Sequence, residues 1–393
     1  MNALYIEKDN FGSEDLLEAL GNMGVYAKRQ ALPEMHDRVN ERAQAVVEGW
    51  LGEKCPDGGG FDCCITFNYS PLVSNCCQKA GVKYVSWVYD SPLVSLFSYT
   101  IINSCNYCFV FDSALCQRFW NEGINTIHYM PLAANVKRLD AMHADEGIHK
   151  AYDGDIAFVG SMYNEKHNLY DRLSGMPDFA KGYLDGAIAA QMKVQGYFFL
   201  EEMLKGPVLE EMKKALDYKP NRDGVETAEY VYANYFLARK LAQREREHLL
   251  GLLSRDMCVS LYTHNPTPEL PRVQNKGAVD YYDTMPYVFK CSKINLNISI
   301  RSIQSGIPLR CMDILGAGGF LMSNYQADLF THFVPDEDFV YYEGDADLVD
   351  KCRYYLEHDD ERQRIARSGH AKVAAEFTYE KLLGKMFRVA GLE

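Results

Sequence analysis

The chain has 393 residues, 47% of them hydrophobic and 24% charged, and a formal net charge of −13 at pH 7. That length exceeds what one hydrophobic core ordinarily organises, and the composition is that of a packed globular protein rather than a disordered scaffold. The acidic balance argues against nucleic acid as a main partner, because a phosphate backbone needs a basic face; one local basic pocket remains compatible with it.

The opening MNALYIEKDNFG has no basic region followed by a long apolar core. No uninterrupted apolar run reaches the roughly 18 residues of a membrane span, so the expectation is a cytoplasmic protein with no transmembrane segment. ALYIEK reads as a strand, and the helix after it has Ser13 as cap, acids in its first turn and Gly24 at its exit. VYAKRQ is the next strand, followed by a helix from about Asp37 to Leu51 and the turn-rich CPDGGG. FDCCITFN leads into a helix capped by Ser70 with Pro71 at its first position. VKYVSWVYD, NYCFVFDS, a helix from Ser113 to Glu122 and NTIHYMPL complete this half.

Such alternation means a parallel sheet covered on both faces, with ligands at the carboxyl ends of its strands. Those ends are Asp9 to Gly12, Asn68 to Ser70, Asp90 to Pro92 and Asp112. Asp90 stands where strand gives way to Asp-Ser-Pro, so its carboxylate is a candidate general base; the plain alternative is a turn or cap residue.

Eight of the twelve cysteines fall between Cys55 and Cys116. Their spacing does not suit zinc. Cys63 and Cys64 are neighbours on one strand, and Cys105 and Cys108 enter another, so each pair points to opposite faces. Reduced core thiols are the expectation.

The polar stretch Asn135 to Gly154 reads as a linker, which puts a domain boundary near 150 and gives domains 1–150 and 151–393. The second domain opens on DIAFVGSMYN, whose strand ends at Gly160 and Ser161, where backbone can approach a phosphate closely. Asp153-Gly154-Asp155 has the form of a metal-binding Asp-x-Asp but precedes its strand instead of ending it, so no metal is expected there. From about 178 to 255 the pattern is helical, with a PNRDG break, and is expected to be an insertion governing acceptor choice or oligomer contacts. Its stripe of Tyr230, Tyr232, Tyr235 and Phe236 reads as packing rather than a sugar platform. MCVSLYTHNP returns to strand, ending near Tyr262, a candidate for stacking on a base, and His264, read as a turn residue.

KINLNISIRSIQSGIPLRCMDILGAGGFLMSN, residues 293–324, is the stretch on which the rest is organised. It reads as strand, polar loop, short helix opened by Pro308 and closed by glycines, then strand. The loop from Arg301 to Ile307 empties onto a helix N-terminus, where unpaired N–H groups and the helix dipole favour an anion. Arg301 and Arg310 flank that point, with Asp313 on the same face as Arg310. A diphosphate at the amide cluster and ribose hydroxyls on Asp313 would suit these residues; a simple i,i+3 ion pair between Arg310 and Asp313 is the alternative.

Residues 280 to about 385, through YYDTMPYVFKCSKINLNISIRSIQSGIPLRCMDILGAGGFLMSN, DLFTHF, VYY, YYLEHDDERQRIARSG and FTYEKLL, resemble the C-terminal half of the CgeB-like, spore-maturation-type glycosyltransferases of the GT-B class. VSWVYDSP, NYCFVFDS and YMPLAAN resemble the partner domain that precedes it. The resemblance implies an α/β fold of two Rossmann-like domains facing a cleft, with a terminal helix leaning back on the first domain. It implies metal-independent transfer from a nucleotide sugar, UDP-linked by class frequency, to a protein, glycan or small-molecule acceptor, with no cofactor. Donor contacts would come from Gly160, Ser161, Tyr262, Asn297, Arg301, Ser305, Gly306, Arg310 and Asp313; Phe11, Gly12 and Asp90 would face the acceptor, and Asp90 and Arg310 would be catalytic. A homodimer is compatible with it.

One departure concerns the sugar. Many retaining relatives carry two glutamates eight positions apart around this helix, whereas here Asp313 is preceded by Ser305. A binding or assembly module that kept the fold and lost transfer therefore stays open. A nicotinamide enzyme, suggested by Gly-Ala-Gly-Gly after Leu315, fails on order: these glycines close a helix, and no strand-GxGxxG-helix lies near the N-terminus.

Overall fold

Strand–helix alternation produces two wholly parallel six-stranded sheets in the computed structural model, which describes residues 1–8, 11–166 and 168–392. The candidates Asp9 and Asn10 lie outside the described residues. One unit comprises Met1–Ala133, Lys219–Thr227 and Glu376–Glu393; the other comprises Ala134–Tyr218 and Ala228–Ala375.

The first unit holds β1 (Asn2–Glu7), β2 (Tyr26–Ala31), β3 (Cys63–Phe67), β4 (Lys83–Val88), β5 (Asn106–Val110) and β6 (Ile127–Tyr129), in the order β2-β1-β3-β4-β5-β6. β3 is buried along its whole length, as a central parallel strand covered on both faces must be. The chain runs outward from β1 to β2 and then crosses back to β3, so the strand order reverses between β1 and β3.

The second unit holds β7 (Gly154–Val159), β8 (Val259–Tyr262), β9 (Gln274–Asn275), β10 (Ser292–Asn297), β11 (Leu321–Asn324) and β12 (Val340–Tyr342), in the order β12-β11-β10-β7-β8-β9. Its reversal falls between β7 and β10. Its core collects Ile156, Leu261, Ile294, Leu296, Met322 and Val340 from those strands.

Several elements differ from the sequence reading. The helix expected from Asp37 begins at Glu41, because the Asn40 side chain accepts the Ala43 N–H at 3.0 Å and caps it there. Arg38, just outside, turns inward instead, donating to Val94 O at 2.7 Å and pairing with Asp223 and Glu226, both at 3.4 Å. The stretch expected to be a linker folds as helices Val136–Ala141 and Glu146–Tyr152, capped by Asn135 and Asp145; neither is long enough to show a hydrophobic period. The PNRDG break is more than a turn. Lys219–Thr227 belongs to the first unit, where Gly224 bridges Ser98, the Tyr99 N–H donates to Asp223 O and the Val225 N–H donates to Phe97 O.

The last helix, Tyr379–Ala390, also belongs to the first unit. Tyr379 meets Trp87 edge-on at 5.6 Å, and the Lys83 ammonium donates to Ala390 O at 2.6 Å. Tyr230, Tyr232 and Phe236 are buried, Tyr232 and Phe236 edge-on at 5.4 Å, as packing predicts. All twelve cysteines are free; ten are buried and Cys258 is exposed. Among the described residues no helix is long and apolar enough to cross a membrane.

Two helical glycines give opposite expectations. A Cβ on Gly369 would lie 2.3 Å from Asp338 O and 2.7 Å from a Leu315 methyl, whereas one on Gly384 meets nothing within 4 Å. Gly369→Ala should destabilise the protein by about 1–3 kcal/mol through overpacking against backbone. Gly384→Ala should stabilise it by about 0.5–1 kcal/mol through helix propensity. Denaturant midpoints of both variants check the signs.

Candidate functional site

Ligands of doubly wound sheets bind outside the carboxyl ends of the strands that flank the order reversal. In the second unit these are β7 and β10, which end in Gly160-Ser161 and in Ile298 to Arg301. Arg246, buried on the helix Ala238–Leu253, joins the two loops: it donates to Ser161 O at 2.5 Å and to Ile298 O at 2.7 Å, and its guanidinium lies over the rings of Tyr163 and Phe158.

Ser161 sits inside a polar knot. Its hydroxyl donates to Glu165 at 3.0 Å and accepts the Tyr163 N–H at 2.9 Å, while Asn265 accepts the Met162 N–H at 2.8 Å. Burial works to raise the Glu165 carboxyl, but a backbone N–H, Asn265 and Ser161 donate to it and leave it below its ordinary value. Asn297 is likewise committed, donating to Ser299 and Ser323 at 2.9 Å each. Tyr262 is buried, and burial raises its phenol. Gly306 is buried. The Ser305 hydroxyl lies 3.4 Å from the buried Asp328 carboxylate, so an acid does stand near the position where sequence offers only serine.

The helix Leu309–Gly316 starts behind Pro308 with no side-chain cap; the Cys311 N–H donates to Pro308 O at 2.9 Å, and among the described residues no side chain accepts the Leu309 or Arg310 N–H. Arg310 flanks them, with 28% of its side chain exposed; it lies 3.7 Å from Asp313, over the Phe289 ring, and against the Met285 sulfur. Asp313 is 6% exposed and accepts from the Tyr281 hydroxyl at 3.1 Å. Tyr281 and Tyr282 meet edge-on at 5.0 Å, and the Arg138 guanidinium lies 4.8 Å from the centre of the Tyr282 ring. Ser302 Oγ, Asn324 Nδ2 and Arg246 Nε are buried with no hydrogen-bond partner among the described residues, and all three lie on segments that serve the ends of β10 and β11.

Arg301 is placed differently from its expected role. Its guanidinium forms a two-pronged pair with Glu245, with Nε 3.2 Å from Oε2, and both side chains are nearly inaccessible. Burial works against its charge, but the adjoining Glu245 carboxylate outweighs that and raises its pKa. Arg301 therefore ties the loop to the helix through Nε and one Nη, while the N–H groups of its other Nη lie outside that pair. Sequence reading missed Glu245 and Arg246, although a signal existed: Ala238, Leu241, Ala242 and Leu249 trace the apolar stripe, and Glu245 falls on it at helical spacing.

In the first unit the reversal lies between the ends of β1 and β3. Phe11 is 66% exposed, and Gly12 adopts φ 84°, a left-handed conformation open to glycine, where a Cβ would strike the Tyr379 hydroxyl. Asn68, itself at φ 60°, accepts the Tyr89 and Asp90 N–H groups at 2.9 and 3.0 Å and donates to the Asp90 carboxylate at 2.8 Å. Asp90 is thus exposed yet aimed. The loop beyond it forms one wall of an open cavity of about 740 Å³, lined also by His36, Arg38, Tyr69, Arg222 and Asp223.

These two reversed-order parallel sheets, with helices inserted in the second, are the GT-B architecture. Anabaena Alr3699/HepE in complex with UDP-glucose aligns with 100% of this chain and 99% of its own at 8% identity and a TM-score of 0.55. A glycosyltransferase from Rickettsia africae ESF-5 covers 99% and 97% at 9% identity and TM-score 0.51. The sucrose-phosphate synthase of Thermosynechococcus elongatus covers 99% and 98% at 10% identity and TM-score 0.50. At such identities the likeness is one of fold. In sequence, residues 236–388 match the family model described as Glycosyl transferase-like, and no curated protein matches the chain.

Proposed function

We propose that the protein is a glycosyltransferase of the CgeB-like kind that moves a hexose from a UDP-sugar to a protein or glycan acceptor, without a metal ion in the transfer step. The observation that carries this reading is the uncapped N-terminus of Leu309–Gly316, flanked by Arg310 and by Asp313 under the Tyr281 hydroxyl, one element beyond the order reversal of the second sheet. The amides and Arg310 would stabilise charge developing on the departing diphosphate, since fixed donors aimed at that charge supply what a cation would. Asp313 would accept from the ribose hydroxyls. Gly160, Ser161 and Asn297 would shape the neighbouring backbone, and Tyr262, buried, would support the base from beneath. Arg301 would act through Glu245 by positioning Ser305 and Gly306 rather than by touching phosphate.

The similar structure that holds UDP-glucose makes UDP-glucose the first donor to try. A panel of nucleotide sugars read by thermal shift tests the reading, because a donor that binds only the folded state raises the melting temperature by mass action. No shift with any member would refute it. On the acceptor side we assign Asp90 as general base, Phe11 and Gly12 as further acceptor contacts, and the 740 Å³ cavity walled by Leu93, Val94 and Ser95 of the loop after Asp90 as the acceptor's berth. Asp90→Asn should retain donor binding and lower transfer about 10²–10⁴-fold, the ordinary contribution of a general base. Normal transfer by this variant would return Asp90 to a turn residue.

A second reading, a nucleotide-sugar-binding protein without transfer, draws on Ser305 and on the commitment of Arg301 to Glu245. Release of free UDP from a bound donor separates the two.

A further inference from the structure

The parallel register of β7 and β10 has a chemical result at the end of the sheet remote from the site above. Ser292 pairs with Gly154 at the start of each strand, and the residues just before them are Cys291, the last of the helix Met285–Cys291, and Asp153, which caps the helix Glu146–Tyr152. A salt bridge one step in, between Lys293 and Asp155 at 2.8 Å, pins that register. The helix Glu146–Tyr152, capped by Asp145, brings His149 to the same point, four residues before Asp153 and with Nδ1 2.9 Å from its carboxylate. The three ligating atoms, an imidazole nitrogen, a carboxylate oxygen and a thiol sulfur, all lie within 4.8 Å of one another.

We propose that His149, Asp153 and Cys291 form a binding site for a thiophilic divalent transition ion of the zinc type, separate from the transfer site. Bonds of roughly 2.0 Å to nitrogen and oxygen and 2.3 Å to sulfur separate tetrahedral ligands by about 3.3–3.6 Å, a spacing these side chains reach by small rotations. The mixed nitrogen, oxygen and sulfur set selects against magnesium and calcium, which prefer all-oxygen shells. His149 and Asp153 are exposed and give the ion an entry path, whereas Cys291 is 8% exposed and forms the floor. On binding, the His149–Asp153 hydrogen bond is exchanged for two metal bonds. The Cys291 thiol loses its proton to solvent as the sulfur–metal bond forms, and water fills the fourth position. The ion would clamp the short helix to the start of both strands. A six-residue strand separates that edge from Gly160-Ser161 by about 20 Å, so the ion cannot reach the diphosphate and does not restore an Asp-x-Asp role to Asp153.

The test titrates the chelator-treated, reduced full chain with Co²⁺ and records its absorption spectrum. Tetrahedral d–d bands and a thiolate-to-metal charge-transfer band, saturating at one ion per chain, are expected. Cys291→Ser should abolish the charge-transfer band, and His149→Ala and Asp153→Asn, both at exposed positions, should each weaken binding by about tenfold or more. The exposed Cys258 is the control: Cys258→Ser should change nothing. Absence of the charge-transfer band in the parent, its survival in Cys291→Ser, or its loss in Cys258→Ser would each overturn the assignment. No readout involves sugar transfer, so the result stands apart from the function proposed above.

Discussion

Arg310→Ala is expected to lower UDP release from a bound donor by about 10²–10³-fold while leaving the melting temperature close to that of the parent. The magnitude is that of removing one fixed donor from a developing negative charge. The stability expectation follows from the surroundings. Arg310 is partly exposed, and its ion pair with Asp313 is long, at 3.7 Å. Asp313 keeps the Tyr281 hydroxyl when the guanidinium is gone. Arg310→Lys should fall between the two, because a point charge replaces a planar fork. Steady-state UDP release and a melting curve on the same preparation suffice. A parent-like rate in Arg310→Ala would mean that the charge at this helix start is stabilised by other groups.

The Glu245–Arg301 pair should show the opposite profile. Either residue alone changed to alanine leaves a buried charge without its partner, for which a loss of about 3–5 kcal/mol is expected. Replacing both together, as Glu245→Leu with Arg301→Met, should recover most of that loss, because two apolar chains of similar volume remove the desolvation penalty with the pair. Denaturant unfolding of the parent, both single variants and the double variant gives the coupling directly. Singles within about 1 kcal/mol of the parent would show that water reaches the pair.

The sequence carried the fold in its periodicity. Two sets of short apolar strands with helices between them could hardly be arranged otherwise, and the stretch from Ser292 to Asn324 folds as strand, loop, helix and strand, with the first strand beginning two residues before and ending three residues before the Ile294 to Ile300 of the reading. Asp313 and Arg310 were legible because a helix start fixes what lies on its first turns. What stayed hidden were the partners supplied from far along the chain. Glu245 claims Arg301 across 56 positions, and Tyr281 reaches Asp313 across 32. Spacing within one segment says nothing about such meetings. Arg38 was hidden for the same reason: the return of residues 219–227 supplies the two carboxylates toward which this charged side chain turns.

That return has a practical corollary for anyone wishing to transplant the first unit. Its polypeptide is interlaced with the second in three separate lengths, so a clean cut near residue 150 would yield a fragment lacking both its Lys219–Thr227 crosspiece and its closing helix. Without the crosspiece, Arg38 loses both carboxylates and the cavity loses a wall. Chimaeras that exchange this unit would have to import all three lengths together.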